Sequence, residues 1–474
     1  MLVVLINSAG WSIFGSLFSK LLTLLTYVLV SRQVDPSIFG PLVFATLLLD
    51  FFSVIGTGGA RENYIRSKAV NDRFAQGTFI YCLSIGSFMS FLFLLIFISA
   101  DLLSYFQGPS LAYWLLSPIP FIVSICGFYQ GVLERTHNFK QLALRNVFIS
   151  FVSGVAGITL ALMEYGIFAL VASRLIGPLV NLIVIRNLVA FSPTFTFDVE
   201  IVREIWQFGG RLTFSQFFNF SSGRIFELTA MFMFGPIAMA LTDIARKIYI
   251  TLNAVLITPL NPVSLSYLSK SSEPRKLYFR FLLLVCSVVF PAFALISAFS
   301  DIIIQFIFGS KWESSIELMT ILGWAIVPQL LTWYLHNLCI RFNRPDSVLW
   351  LHVINFSMVF TGMAAAVIID VSLVDSMWML VAALFLSSIL RLVYVALIVH
   401  LSIFRLLVLY FISAAYFALV HFLSRMLFES FALEWPAIND PSQQFYWAFM
   451  YCSLVMLALS PITVFAYRRL KSIS

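Results

Sequence analysis

Long apolar segments, separated by short polar ones, recur from one end of the chain to the other. Each apolar segment holds about 20 residues, which is the length that an α-helix needs to cross the hydrocarbon region of a bilayer. We therefore predict membrane-spanning helices. Fourteen are predicted, with approximate ranges 10–31, 40–60, 77–99, 110–131, 145–163, 165–187, 206–234, 236–265, 277–299, 315–338, 347–369, 376–399, 403–426 and 443–467.

The composition of the chain is that of a membrane protein. Of its 474 residues, 61% are hydrophobic and only 11% are charged, whereas about a quarter of the residues in a typical soluble domain are charged. No polar stretch is long enough to fold as a separate soluble domain. The first span lacks the basic segment that begins a signal peptide, so we expect it to be retained. The sequence predicts an all-α polytopic membrane protein with about 14 transmembrane helices.

Basic residues are distributed unevenly between the loops. If the N-terminus is cytoplasmic, 19 of the 29 Lys and Arg residues fall in the inner loops and the tail. Only 3 fall in outer loops: Arg32, Lys311 and Arg425. Such an excess on one side follows the positive-inside rule. Both termini are therefore predicted to be cytoplasmic.

The remaining 7 basic residues fall within predicted spans. A basic side chain that faces lipid near the bilayer centre costs on the order of 3 kcal/mol or more, so we expect these side chains to face a wetted interior. Arg211 is the exception, because it lies near the inner end of its span and can extend to the interface. The candidate cavity cations are therefore Lys20, Arg174, Arg224, Arg246, Lys247 and Arg391.

An internal repeat is indicated by a shift of 195 residues. The shift aligns Trp11 with Trp206, Gly15 with Gly210, Leu17 with Leu212, and Phe39-Gly40-Pro41 with Phe234-Gly235-Pro236. Because six spans separate the matched ones, both copies have the same membrane orientation, as in transporters built from parallel repeats.

The repeat divides the chain into four regions. A lobe of six helices, 1–187, is joined by a cytoplasmic linker, 188–204, to a second lobe of six helices, 205–400. Two further helices and a cytoplasmic tail, 401–474, follow the repeat. We expect the two lobes to be related by a rotation about the membrane normal.

Polar residues in the first two spans recur at the spacing of one helix face, and the two faces meet across a short outer turn. Lys20 in the first span and Asp50 in the second both lie near mid-span. Two interpretations stay open. The two side chains form an ion pair with each other in the packed interior, or they contact a ligand or an ion.

The segment 221–247 holds five charged residues on either side of Gly235-Pro236: Arg224, Glu227, Asp243, Arg246 and Lys247. Counted from Gly235-Pro236, Glu227 and Asp243 lie about equally far along the chain, and Arg224 and Arg246 lie about one helical turn further away. Arg246 and Lys247 share a face of the eighth span with other polar residues, which indicates an aqueous cavity. Arg224 joins the polar face of the seventh span only if Gly223 bends that helix.

Three stretches carry a family resemblance: SRQVDPSIFGPLVFATLLLDFFSVIGTGGAREN, IIIQFIFGSKWESSIELMTILGWA and the loop RFNRPD. The matching residues are Arg32, Pro36, Phe39, Gly40, Gly59, Gly309, Lys311, Trp312, Arg341, Arg344, Pro345 and Asp346. With the fourteen spans and the loop charges, they resemble bacterial polysaccharide transporters of the Wzx type. These transporters belong to the multidrug/oligosaccharidyl-lipid/polysaccharide exporter (MOP) superfamily.

The resemblance implies a function. Members of this family flip undecaprenyl-pyrophosphate-linked oligosaccharides, such as O-antigen units of lipopolysaccharide, across the bacterial inner membrane. Two six-helix lobes alternate their opening around a cationic cavity. The candidate cavity cations would then bind the pyrophosphate. The implied partners are the lipid-linked oligosaccharide, membrane lipids, and polysaccharide polymerase and glycosyltransferase enzymes, but no nucleic acid.

No ATP site, catalytic residue, metal site or bound cofactor is predicted. The glycines of IGTGGAR, 55–61, lack the Walker spacing and end a span, so they indicate a helix bend. Transport would then draw on a proton or sodium gradient, for which Asp50, Glu227 and Asp243 are the candidate coupling sites.

Two alternatives are weighed against the flippase. A drug or cation antiporter of the same superfamily is expected to have twelve spans and an acid-dominated cavity, whereas here the intramembrane bases outnumber the acids. A membrane glycan polymerase or glycosyltransferase typically needs a long outer loop or a carboxylate pair near a metal.

Overall fold

The computed structural model describes residues 19–57, 59–67, 71–102, 109–136, 139–189, 191–194, 198–344, 346–434 and 443–455. These residues are 89% helical and contain no strand, as the apolar pattern predicts. The chain divides into two compact units, an N-terminal unit, Met1–Phe220, and a C-terminal unit, Ser221–Ser474.

Eleven helical segments within these described ranges are long and apolar enough to cross a membrane. They coincide with eleven of the predicted spans, because a helix satisfies every backbone polar group of an apolar run in lipid. The first and last predicted spans extend outside the described residues, and the seventh is interrupted. The eleven are Pro36–Arg66, Asp72–Leu102, Ser110–Arg135, Leu144–Leu162, Ile167–Leu188, Pro236–Lys270, Pro274–Ala298, Ser315–Arg341, Asp346–Ile369, Leu373–Val399 and Ile403–Ser430. The chain is a multi-pass membrane protein.

The described part of the N-terminal unit is built from α1 (19–33), α2 (Pro36–Thr57), α3 (Ala60–Arg66), α4 (Asp72–Leu102), α5 (Ser110–Trp114), α6 (Ile119–Arg135), α7 (Phe139–Leu162), α8 (Ile167–Leu188) and α9 (Val199–Ser222), whose last two residues already belong to the C-terminal unit. Helix α6 is central, because it packs against α2, α3, α4 and α8, and α7 pairs with α8. Aromatic rings fill the space around α6. Phe128 contacts Tyr64, Phe79 and Phe191 with ring centroids 4.9–5.5 Å apart.

Gly59 separates α2 from α3 with a left-handed backbone conformation, φ +69°. A Cβ atom at this position would come within 2.3 Å of Gly209 Cα in α9. Glycine is therefore needed both for the backbone angle and for the close approach of the two backbones. The helix bend predicted at IGTGGAR is confirmed.

The segment between α8 and α9 is held against the start of α4. Gln76 Nε2 donates to the Ser192 carbonyl at 2.8 Å, and Arg73 Nε donates to Asp198 Oδ2 at 2.6 Å. Desolvation acts to raise the pKa of Asp198, but the hydrogen bonds from Arg73 and from the Glu200 N–H outweigh it and hold that pKa below its ordinary value. The predicted linker overlaps this segment, although its last six residues already belong to α9.

The described part of the C-terminal unit is built from α10 (Ile225–Phe234), α11 (Pro236–Leu252), α12 (Leu260–Lys270), α13 (Pro274–Ala298), α14 (Ser300–Ile307), α15 (Ser315–Trp324), α16 (Ile326–Trp333), α17 (Leu335–Arg341), α18 (Asp346–Ile369), α19 (Leu373–Val399), α20 (Ile403–Glu434) and α21 (443–455). Helix α13 packs along α20, α18 along α19, and α11 against α15. A π-helical turn, Asn253–Ile257, follows α11, and such turns are frequent at functional sites.

The two Phe-Gly-Pro tripeptides are not structurally equivalent. Gly235 turns the chain between α10 and α11 with φ +85°, and Pro236 begins α11. Gly40 and Pro41 instead lie inside α2, and the turn before α2 is at residues 34–35. The tripeptide match therefore does not support the repeat, and the aligned Trp11, Gly15 and Leu17 lie outside the described residues. The two-lobe arrangement stays a prediction.

Candidate functional site

Three charged side chains meet in the α10–α11 hairpin of the C-terminal unit. Arg224 Nη1 lies 3.3 Å from Glu227 Oε1, and Arg246 forms an ion pair with the same oxygen. The Glu227 side chain is only 2% exposed, and both guanidinium groups are largely buried. We call these residues the Glu227 cluster. One buried carboxylate is shared by two cations, so the cluster carries a net positive charge.

A break in the helix positions the cluster. Helix α9 ends at Ser222, and Arg224 has φ −124°, outside the helical range, immediately before α10. This break at Gly223 is the bend that the sequence requires if Arg224 is to join the other polar residues. Gly235 then reverses the chain, so that α11 brings Arg246 back to Glu227.

Asp243 and Lys247 flank Arg246 on α11. Asp243 is buried and Lys247 is half-buried. Asp243 lies three residues before Arg246 and four before Lys247, so it shares a face of the helix with both. Together with the Glu227 cluster they make three bases and two acids, so the fixed charge of this region stays positive.

A chain of hydrogen bonds links Ser222 to α18 and α19. Asn355 Nδ2 donates to Ser222 Oγ at 2.9 Å, and Ser387 Oγ donates to Asn355 Oδ1 at 2.9 Å. Arg391 lies one turn beyond Ser387, and its Nε is buried without a hydrogen-bond partner among the residues that the structure describes. Because a buried donor without a partner costs free energy, a polar ligand or a water molecule that accepted a hydrogen bond from Arg391 would be stabilising.

The N-terminal unit contains an open cavity of about 690 Å³, within the size range of small-molecule sites. Its walls come from α1, α2, α3, α6, α7 and α8. The polar lining residues are Ser19, Lys20, Thr57, Arg61, Gln130, Asn146, Ser150 and Asn181. Lys20 is the candidate cavity cation that contributes to this wall.

Two further cations lie at or behind this wall: Arg61 lines the cavity, and Arg145 contacts the lining residue Asn146. Arg61 forms a bidentate ion pair with Glu134, at 2.9 and 2.5 Å. Arg145 Nη2 donates to Asn146 Oδ1 at 3.0 Å. The Nε and Nη1 atoms of Arg145 have no hydrogen-bond partner within the described ranges, although the residue is only 5% exposed. Lys20, Arg61 and Arg145 outnumber Glu134, so the fixed charge around the cavity is positive.

Asp50 on α2 forms an ion pair with Arg174 on α8, with Nη1 3.3 Å from Oδ1. The sequence offered Lys20 as its partner, but Lys20 lies in the wall of the cavity instead. The observed pair joins two candidate residues that are 124 positions apart. Both side chains are partly exposed, so water or an ion can reach the pair.

Three residues of the N-terminal cavity region were missed from the sequence: Arg61, Glu134 and Arg145. Arg61 and Arg145 lie at the ends of spans, where basic residues are counted as loop charges. Two polar patterns could have identified the region. Gln130 and Glu134 are spaced to share one face of α6, and Asn146 follows Arg145 directly at the start of a span.

Residues 29–317, more than half of the chain, match the family described as "Polysaccharide biosynthesis protein". The succinoglycan biosynthesis transport protein ExoT of Rhizobium meliloti (strain 1021) is 23% identical over 217 residues, which are 45% of this chain and 43% of ExoT. The lipopolysaccharide biosynthesis protein WzxC of Escherichia coli (strain K12) is 21% identical over 331 residues, 67% of this chain and 66% of WzxC. The chain thus spans less than two thirds of the length of either relative.

Solved structures show the same fold. The lipid II flippase MurJ in an inward closed conformation has a TM-score of 0.68 and 13% identity, covering 96% of this chain and 98% of its own. A multidrug resistance MATE family transporter of the MOP superfamily, in an inward-facing conformation, has a TM-score of 0.63 and 13% identity, covering 82% of this chain and 95% of its own. At such low identity these likenesses show the fold alone. The match over residues 29–317 shows that the chain belongs to the polysaccharide biosynthesis protein family, which bears out the resemblance seen in the sequence.

Proposed function

We propose that this protein is a flippase that translocates undecaprenyl-pyrophosphate-linked oligosaccharide units across the bacterial inner membrane for surface polysaccharide biosynthesis. One observation carries the proposal: in each unit, the described basic side chains at the candidate sites outnumber the acids near them. The N-terminal unit has Lys20, Arg61, Arg145 and Arg174 against Asp50 and Glu134. The C-terminal unit has Arg224, Arg246, Lys247 and Arg391 against Glu227 and Asp243.

An excess of fixed positive charge suits a pyrophosphate, which must leave water to cross the membrane. Guanidinium and ammonium groups can replace part of its hydration, and arginine can bind phosphate oxygens in pairs. Arg145 and Arg391 each keep at least one buried N–H without a partner within the described ranges. These donors are free to bind phosphate oxygens, while serine, threonine and asparagine side chains bind sugar hydroxyl groups.

The proposal includes an architecture. Fourteen helices form two pseudo-symmetric lobes, 1–187 and 205–400, joined by the linker 188–204 and followed by 401–474. The lobes alternate their opening around a central cationic cavity, and both termini are cytoplasmic. The likeness to flippase and transporter folds supports alternating access, and the loop charges support the orientation.

The energy source and the partners are also proposed. With no ATP site predicted, a proton or sodium gradient drives transport through Asp50, Glu227 or Asp243. The partly exposed Asp50–Arg174 pair supports this role, because a cation can reach its carboxylate. Glycosyltransferases supply the lipid-linked oligosaccharide and a polymerase consumes it, as the names of ExoT and WzxC suggest for a polysaccharide pathway.

Reconstitution tests the proposed function against antiport of cationic drugs. Purified protein is placed in phospholipid vesicles that contain a fluorescent undecaprenyl-pyrophosphate oligosaccharide, and a membrane-impermeant quencher reports the outer-leaflet fraction. A flippase makes the inner-leaflet label accessible under a proton or sodium gradient, whereas protein-free vesicles do not. Efflux of ethidium without movement of the oligosaccharide would instead identify a drug antiporter.

A further inference from the structure

A groove on the C-terminal unit runs between the first turns of α13 and α20. It has a volume of about 430 Å³. Lys276, Arg280 and Arg405 line one end of it, and all three lie in the first two turns of their helices. We call this feature the basic groove.

Two of these cations have no acid as a partner. Lys276 Nζ forms an ion pair with Glu273 at 2.6 Å, whereas Arg280 and Arg405 form no ion pair with any residue that the structure describes. Within the described part of the chain, the charge of the two arginines is therefore left to water or to a molecule from outside the protein.

The ends of the helices favour an anion at the same place. The N-termini of α13 and α20 both lie at the basic end of the groove. A helix N-terminus carries a partial positive charge, which repels nearby cations and attracts anions. A phosphate group between Arg280 and Arg405 would offset both the side-chain charges and the helix ends, and its oxygens fit the guanidinium fork.

Beyond the basic end, the wall of the groove is apolar. Leu283, Val408 and Ile412 follow the cations at helical spacing, up to about 10 Å deeper along their helices, and they are 49%, 40% and 60% exposed. No Ser, Thr, Asn or Gln lies among the described lining residues. A sugar would find no neutral hydrogen-bonding side chain in this lining, whereas a hydrocarbon chain would cover exposed apolar surface.

We propose that the basic groove binds an anionic glycerophospholipid of the surrounding bilayer. Its phosphate lies at Arg280 and Arg405, and one acyl chain lies along Leu283, Val408 and Ile412. The arginines belong to the side that the loop charges predict to be cytoplasmic, so the lipid comes from the inner leaflet. By screening the repulsion between the two arginines, the lipid holds α13 and α20 together. The site does not depend on the proposed transport function.

Native mass spectrometry of the full chain tests this site. The purified protein is titrated in detergent with phosphatidylglycerol and, in parallel, with phosphatidylcholine that has the same acyl chains. We expect the wild type to bind phosphatidylglycerol about tenfold more tightly than phosphatidylcholine, and Arg280→Gln/Arg405→Gln to lose that preference. The matched control, Lys270→Gln/Arg344→Gln, removes two cations from the same predicted side but outside the groove, and should bind as the wild type does.

A second variant separates a lipid from a free phosphate. Val408→Trp keeps every charge but fills the apolar part of the groove, so it should weaken phosphatidylglycerol binding and leave binding of inorganic phosphate unchanged. Wild-type phosphatidylglycerol affinity in Val408→Trp, or in the double glutamine variant, would overturn the proposal. Undecaprenyl phosphate that displaced phosphatidylglycerol at equal concentration, and lost its binding in Arg280→Gln/Arg405→Gln, would assign the groove to the transport substrate instead. Equal unfolding temperatures across the variants show that each is folded.

Discussion

Arg246 on α11 forms an ion pair with Glu227 on α10, across the turn that Gly235 makes. The same carboxylate oxygen is 3.3 Å from Arg224. Arg246, a candidate for binding the substrate, therefore contacts Glu227, a candidate for ion coupling. An anion that bound at this hairpin would compete with the Glu227 carboxylate for the two guanidinium groups.

The first prediction concerns the stability of this pair. Arg246→Gln leaves the buried Glu227 carboxylate with Arg224 alone, so we expect the free energy of unfolding to fall by about 3 kcal/mol, as is usual when one partner of a buried ion pair is removed. Glu227→Gln/Arg246→Gln removes both charges and should recover at least half of that loss. Thermal unfolding in detergent measures both effects, with Lys270→Gln as the control. An Arg246→Gln variant as stable as the wild type would show that the pair adds nothing to the fold.

The second prediction separates coupling from stability at Asp50. Its ion pair with Arg174 is partly exposed on both sides, and such pairs contribute about 0–1 kcal/mol. Asp50→Asn should therefore unfold within about 1 kcal/mol of the wild type but lose the dependence of flipping on an imposed proton or sodium gradient. The vesicle assay, run with and without the gradient, measures this loss. Gradient-driven flipping that survived in Asp50→Asn would move the coupling role to Glu227 or Asp243.

The third prediction concerns the bend between α2 and α3. Gly59→Ala forces a Cβ against the Gly209 backbone at 2.3 Å and also strains a left-handed residue. We expect a loss of more than about 2 kcal/mol, seen as a lower unfolding temperature and a lower yield in the membrane. Gly235→Ala is the matched control, because Gly235 has φ +85° but no atom within 4 Å of its added Cβ. With ψ −176°, Gly235 lies in a backbone region that is essentially restricted to glycine, so Gly235→Ala should lose about 1–3 kcal/mol of stability from backbone strain alone, and Gly59→Ala should lose more. Equal losses in the two variants would contradict the role of the Gly209 contact.

Much of the fold could be predicted because the lipid environment determines which backbone structures are possible. A run of about 20 apolar residues in lipid has to form a helix, since no water is present to satisfy its backbone. Each of the eleven membrane helices in the described ranges therefore coincides with a predicted span. The break before α10 was only a condition in the sequence, under which Arg224 would join the polar face, and the structure has that break. The bend at Gly59 followed from its neighbouring glycines.

The partners within the site could be predicted less well. The Asp50–Arg174 pair joins α2 to α8, and helix spacing within one span carries no information about which helix lies beside it. Arg61 and Arg145 were assigned to loops, because the positive-inside rule uses only the position of a residue in the sequence. The rule cannot distinguish a basic residue in a cytoplasmic loop from one near a cavity at the end of a helix. The Phe-Gly-Pro match failed for a related reason. The same tripeptide fits inside α2 and at the turn after α10, so its local sequence does not determine its structure.

The last prediction tests the positive charge of the N-terminal cavity through Lys20. This side chain lies in the cavity wall and is exposed, so its removal should leave the fold intact, unlike that of the buried Arg145. We expect Lys20→Gln to unfold at the wild-type temperature and to flip the lipid-linked oligosaccharide about tenfold more slowly, because one charge-assisted contact to the pyrophosphate is lost. Lys20→Arg keeps the charge and should retain most of the activity. Lys270→Gln, which removes a lysine outside the cavity, controls for net charge, and all rates are normalised to protein in the vesicle. If Lys20→Gln flips at the wild-type rate while Arg246→Gln/Lys247→Gln does not, the anion passes the C-terminal cations only, and the N-terminal cavity is not part of its path.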